Sequence, residues 1–203
     1  MTKTDLIHIA DAAFETLKKA YEGESCRVII PKRRDKSKRI SEQEFKMAFI
    51  LTILQQPEYS VLSCSVETPT ENTYLFGPKS NRFNDFLLNR EEEGCRSGCI
   101  DLTLYQGSEK AAIIEFKSAG ASEYEIHKDL FKLIHEPGEN IVKVMIQIFE
   151  RGDNATKDAI KRKLDSSNVF SPNSEILYIG YCLDFQKGEG LNRGIIHSRN
   201  TNI

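Results

Sequence analysis

No stretch of this chain approaches the roughly 20 consecutive apolar residues that a membrane-spanning helix needs. The opening residues, Met1 to Phe14, carry Asp5 and Asp11 inside their apolar pattern and hold no h-region, so no secretory signal is expected. Cysteines are few and odd in number: Cys26, Cys64, Cys95, Cys99 and Cys182. Without a signal, that usage reads as reduced thiols in a cytoplasmic protein. Cys95 and Cys99 would make half of a zinc site, but no second Cys/His pair stands at a suitable spacing to complete four ligands. An excess of one charge is lacking too. The 28 Lys/Arg and 30 Asp/Glu leave a formal net charge of −2, so any polyanion must be held by a local patch. There is no G-x-S-x-G, no phosphate-binding P-loop, no zinc-deaminase pattern and no internal repeat, which removes support for several hydrolase classes.

What is present suits one ordinary globular domain: 203 residues, 39% hydrophobic and 29% charged. Leu6, Ile9, Ala10, Ala13, Phe14, Leu17 and Tyr21 recur at helical spacing over residues 4–21, with Gly23 as a stop. A second helix starts at Ser41, where Ser41 and Glu44 match the S-x-x-E capping box, and Gln56-Pro57 ends it. The period then changes. Residues 59–68 and 73–76 alternate as strands around the breaker 69–72, and residues 80–93 read as a short helix. Strands are expected over 99–105 and 111–116, joined by a hairpin loop at 106–109. A helix over 122–135, a buried strand over 141–149, a polar helix over 153–164 and a strand over 175–185 follow. The polar, Gly-rich tail from Gln186 is expected to be mobile at its end. This order predicts an α/β (α+β) fold with a mixed sheet flanked by helices.

Two of the strands are apolar except for charge at one end. Glu115 and Lys117 are two residues apart, so they share a face, while Phe116 points into the opposite layer. In a hairpin, Asp101 near the start of the first strand lies beside the end of the second. Buried charges need partners or a metal. Two carboxylates suit Mg²⁺ or Mn²⁺, and a lysine beside them can orient a water or stabilise charge on a phosphate. Taken alone, an E-x-K at a strand end is equally a solvated ion pair.

The spacing of Asp101 to Glu115-Phe116-Lys117, with Asp101-Leu102-Thr103-Leu104-Tyr105 and the downstream Lys128 to Leu133, resembles the PD-(D/E)xK, or restriction-endonuclease-like, nuclease superfamily and its uncharacterised bacterial members. Ile100 stands where the motif's name has proline. The resemblance covers about residues 41–150. It implies a restriction-endonuclease-like αβββαβ core within a single domain, 1–203, to which the helix at 4–21 and the helix and strand at 153–185 are additions. It also implies Mg²⁺- or Mn²⁺-dependent phosphodiester hydrolysis, with Asp101 and Glu115 as metal ligands and Lys117 in the lysine role. A glutamate on the helix before the sheet is a further expected member. Glu44 is favoured over Glu42, since Met47, Ala48 and Leu51 follow it at +3, +4 and +7, although a capping role alone would equally account for Glu44.

Nucleic acid is the expected partner, DNA ahead of RNA, and a homodimer is compatible with cutting both strands. The best polyanion patch is Lys32, Arg33, Arg34, Lys36, Lys38 and Arg39, which is equally readable as a solvated loop. Arg82 and Arg96 are weaker phosphate candidates. Tyr124, Lys128 and Lys132 form a row that would contact phosphates, support Glu115 or, more commonly, line a solvated helix face. His127 and His135 read as surface residues, and Glu67 has only its position near the site to recommend it. The expected activity is a DNA endonuclease of defence, restriction or repair. The alternative is a nuclease-fold binding or assembly module without cleavage.

Overall fold

The computed structural model describes residues 1–31, 41–81, 83–88, 94–118, 120–149, 154–165, 175–183, 191–197 and 200–201. Helix α1 (Lys3–Glu22) begins at Thr2, whose side chain and that of Asp5 cap each other's backbone N–H, and it ends at Gly23 with φ 89°. That left-handed conformation carries no Cβ penalty in glycine. Helix α2 (Glu42–Gln55) starts at the Ser41–Glu44 box and buries Phe45, Ala48, Phe49, Thr52 and Ile53.

Strands β1 (Leu62–Leu75), β2 (Leu87–Leu88), β3 (Arg96–Gln106), β4 (Glu109–Ser118), β5 (Val142–Phe149), β6 (Glu175–Cys182), β7 (Leu191–His197) and β8 (Asn200–Thr201) form one sheet, ordered β2-β1-β3-β4-β5-β6-β7-β8. The β1–β3–β4 meander is antiparallel, and β4, β5 and β6 are parallel. Helices α3 (Glu123–His135) and α4 (Asn154–Asp165) make the crossovers, as parallel neighbours require. The sheet is therefore mixed and flanked by helices, the coarse architecture that the sequence predicts.

Alternation along the strands divides the core. Leu102, Leu104, Ile114, Phe116, Val144 and Ile146 pack with α1 and α2 on one face. Ile113, Met145, Tyr178, Ile126, Leu130 and Leu133 make the layer that includes α3 on the other. Ile113, Glu115 and Lys117 thus point toward α3, as period 2 demands.

Two local expectations are corrected, and one stretch gains strands that the sequence did not predict. β1 runs unbroken through 69–72, shifting register between Pro69 and Thr73. Thr70 Oγ1 donates to Asn72 O at 2.7 Å and accepts from Gly98 N at 2.8 Å, so a side chain bridges the irregularity. Among the described residues β2 pairs only with Tyr74 and Leu75, and Pro69 stands at the register shift of β1, where a strand tolerates a residue without an N–H. Within 80–93, the described residues form a 3₁₀ turn (Phe83–Asp85) and β2, not a helix. Phe83 and Phe86 satisfy their spacing in that turn, 5.1 and 5.5 Å from Phe131 between ring centroids. The tail after Gln186 supplies β7 and β8, because β6 otherwise has a free edge to which any extended segment can pair.

Candidate active site

The sheet is irregular at Asp101, and that irregularity builds the site. Main-chain pairing between β3 and β4 reaches Leu102–Ile114 and goes no further. Beyond it the Asp101 carboxylate accepts the Phe116 N–H at 2.8 Å, a side chain taking the place of a ladder bond. On the other flank, the β1–β3 register omits Glu67, which has φ 49°. Left-handed backbone costs a non-glycine residue of order 1 kcal/mol or more and is held in place by its surroundings. Ile100 and Leu102 pack into opposite layers, which an unbroken pleat forbids. β3 turns over at Asp101, and its carboxylate consequently reaches groups from both layers.

Glu115 and Lys117 follow on β4. Glu115 is 1% exposed. Its Oε1 lies 2.6 Å from Lys132 Nζ of α3 yet receives no aligned hydrogen bond. Lys132 is also 2.9 Å from Asp129 Oδ1 and donates to Cys99 O at 2.7 Å. Lys117 pairs with the other oxygen of Asp129. Gly98 makes the approach of Lys132 possible, since a Cβ there would stand 3.0 Å from Lys132 Cδ. From α2, Lys46 donates to Glu67 Oε1 at 2.9 Å and to Asp101 Oδ1 at 3.4 Å.

These contacts tune the charges in different directions. Burial, then the nearby Asp129 and Asp101 charges, push Glu115 well above the usual glutamate range, Lys132 opposing them. Burial also works against ionised Asp101, but the Phe116 N–H, Glu115, Lys46 and Lys117 outweigh it and hold Asp101 low. Lys117 is held above the ordinary lysine range despite burial, chiefly by Asp129. Adjacent carboxyl groups pushed apart in this way are the pattern of a site with chemistry to perform.

The structure therefore brings Asp101, Glu115 and Lys117 together. Glu44 it does not: its Oε2 accepts from the Ser41 hydroxyl and, at 2.9 Å, from the Ser41 N–H, which ties the carboxylate to the cap. Glu42 is the helix carboxylate that faces the cluster. Burial raises it, and Lys117, Asp101, Asp129 and Lys46 all act on it. Lys128 stands outside the cluster, its ammonium 4.9 Å from the Phe76 ring centroid and 5.7 Å from that of Tyr124. Lys132, from the same helical row, is 7% exposed and supports Glu115. His127 is buried, with Nε2 2.9 Å from Lys163 O, which corrects its reading as a surface residue. Lys32, Arg33, Arg34, Lys36, Lys38, Arg39 and Arg82 lie outside the described residues.

Asp129 and Lys46 had no role in the sequence reading. Their signal was a charge on the apolar side of a helix: Lys46 between Phe45 and Ala48, and Asp129 beside Leu130 with Lys132 three residues on. Among the described residues no three His, Cys, Asp or Glu side chains form a ready-made metal cluster. Lysines stand between the carboxylates instead. The donors are nonetheless all hard oxygens, and Glu115 Oε1 is buried without a hydrogen bond, which fits Mg²⁺ or Mn²⁺ and not a soft-ligand metal.

Comparison of the chain with protein-family models, with curated proteins and with solved structures finds no match. Its chemistry must be argued from these side chains.

Proposed function

We propose that this chain is a metal-dependent nuclease, an endonuclease acting on DNA in defence, restriction or repair. The observation that carries the reading is the pair Asp101 and Glu115 at a break in the sheet, one carboxyl low and one high, with Lys117 beside them. The succession α2, β1, β3, β4, α3, β5, with three antiparallel strands and a parallel fourth, supports the expected restriction-endonuclease-like core.

Asp101 and Glu115 are the residues that would hold Mg²⁺ or Mn²⁺, with Glu42 in reach from α2. When bound, the ion lowers the pKa of a coordinated water and neutralises charge on the phosphate. Lys117, kept protonated by Asp129, serves as a fixed positive charge for the anionic phosphate and not as a general base. Asp129 and Lys132 hold Lys117 and Glu115 in place from behind. All of these groups address the phosphate, so the site itself carries no base readout.

Incubation with plasmid DNA and with RNA in Mg²⁺ or Mn²⁺ tests the proposal. Cleavage is expected, and Glu115→Ala and Lys117→Ala should each abolish it. Cleavage undiminished in both variants would overturn the assignment. Nucleic-acid binding without cleavage would point to a binding module.

A further inference from the structure

Lys46 has no part in the hydrolysis outlined above, yet it is one of the two buried lysines among the described residues. It is 6% exposed on α2, beside Phe45 and Phe49, and its ammonium lies between Glu67 Oε1 (2.9 Å) and Asp101 Oδ1 (3.4 Å). Burying an ammonium is costly unless it is paired, and here both partners come from the sheet. Glu67 meets it from the strained position in β1, although that side chain is otherwise open to water. Around the site, Glu42, Glu67, Asp101, Glu115 and Asp129 face Lys46, Lys117 and Lys132. With all five carboxylates ionised, as metal ligation by Glu115 requires, they exceed the three ammonium groups by two charges, which one divalent ion supplies.

We infer that Lys46 is a built-in cation: its ammonium fills the place between Glu67 and Asp101 that a second divalent ion would need, so the site takes up one divalent ion per chain, at Asp101 and Glu115. The inference rests on the metal-dependent reading and adds the stoichiometry. In a two-ion phosphoryl-transfer site, carboxylates shared between two cations flank the phosphate. Here Asp101 is shared between the metal position and an ammonium, and the second position is covalently part of the fold. A monovalent, tethered charge cannot dissociate and brings no coordinated water. Replacing Lys46 by a neutral side chain of similar length frees Glu67 and Asp101 Oδ1 and leaves the site three charges short.

Mn²⁺ binding by isothermal titration, with free Mn²⁺ counted by electron paramagnetic resonance, tests this without any activity readout. The wild type is expected to bind one ion per chain, and Lys46→Met two, with circular dichroism confirming that the variant is folded. Lys46→Gln serves if the methionine variant does not fold, and Glu67→Gln should leave the count at one. Two ions in the wild type, or one in both the wild type and the Lys46 variant, would overturn the inference while leaving metal dependence intact. No ion in the wild type would overturn the metal-dependent reading together with it.

Discussion

Two clusters of buried charge lie along β4, one near its start and one near its end, and they are satisfied in opposite ways. Near the start, Glu136 is buried, accepts from Lys110 at 2.8 Å and from the Glu71 N–H, while Glu71 Oε1 accepts from Lys110 at 2.7 Å. Lys143 closes the end of α3 by donating to Ile134 O and Glu136 O. Two carboxylates meet two ammonium groups, and none of these polar atoms is left buried without a hydrogen bond among the described residues. Near the end, carboxylates outnumber lysines, and Glu115 Oε1 and Asp129 Oδ2 have ion pairs but no aligned hydrogen bonds. A balanced, bonded cluster stabilises the fold. An acidic, under-bonded one leaves carboxylate oxygens able to take a further positive partner.

That contrast is best broken by neutralising one glutamate in each cluster. Glu115→Gln should lower cleavage by about 10²–10³-fold or more, the loss typical when one preorganised group is removed from a reacting centre. It should leave stability unchanged or raised, because the fold already favours the uncharged carboxyl, and Lys132 keeps Asp129 and Cys99 O as partners. Plasmid cleavage and urea denaturation on the same preparation check both halves. Glu136→Gln should do the reverse. Losing one partner of a buried pair costs about 3 kcal/mol, read as a lower urea midpoint, while cleavage per folded molecule stays at the wild-type level.

The alkaline range sharpens the comparison through two lysines. Burial opposes the charge on Lys132, but Glu115 and Asp129 outweigh it and raise its pKa above the ordinary 10.5. A raised lysine gives stability that is full below pH 10.5 and is lost as pH climbs through its folded value. Lys143 is lowered by burial, which Glu136 offsets only in part. Its charged form therefore costs stability, and the cost fades as pH rises from its folded value to 10.5. Lys132→Met should flatten the decline of stability above pH 10.5, and Lys143→Met the rise below it. Denaturation across the alkaline range would contradict this if both variants tracked the wild type. The smallest effect is expected from Gly98→Ala, whose methyl crowds the Lys132 stem. About 1 kcal/mol of stability and a modest part of the cleavage rate should go, because Lys132 shifts and Glu115 with it.

The strand residues of the site were legible because period 2 alone puts Glu115 and Lys117 on one face, and hairpin pairing brings Asp101 to their level. The helix carboxylate was not. Ser41-x-x-Glu44 fits a cap as well as an inward-facing acid, and of the apolar residues at +3, +4 and +7 only Ala48 is buried while Met47 is exposed, so that spacing did not show which first-turn glutamate faced the sheet. Lys46 stayed hidden for a related reason. A lysine in an apolar helical face usually carries its charge to water along its stem, and only the break at Asp101 and the turned backbone of Glu67 bring carboxylates to it there. Breaks in register, edge pairing such as β6–β7 and side-chain bridges such as Thr70 depend on neighbours distant in sequence, so no local pattern reports them.

The most direct test of the account is the thermal midpoint of three proteins with and without Mn²⁺. An ion that binds only the folded state at about 100 times its Kd adds about 2.7 kcal/mol. The wild type and Glu136→Gln should therefore both gain several degrees, and Glu115→Gln should gain little or nothing. A wild-type midpoint indifferent to Mn²⁺, or a Glu115→Gln midpoint that rises as far as the wild type's, would contradict the claim that the acidic cluster at Asp101 and Glu115 is a metal-dependent active site.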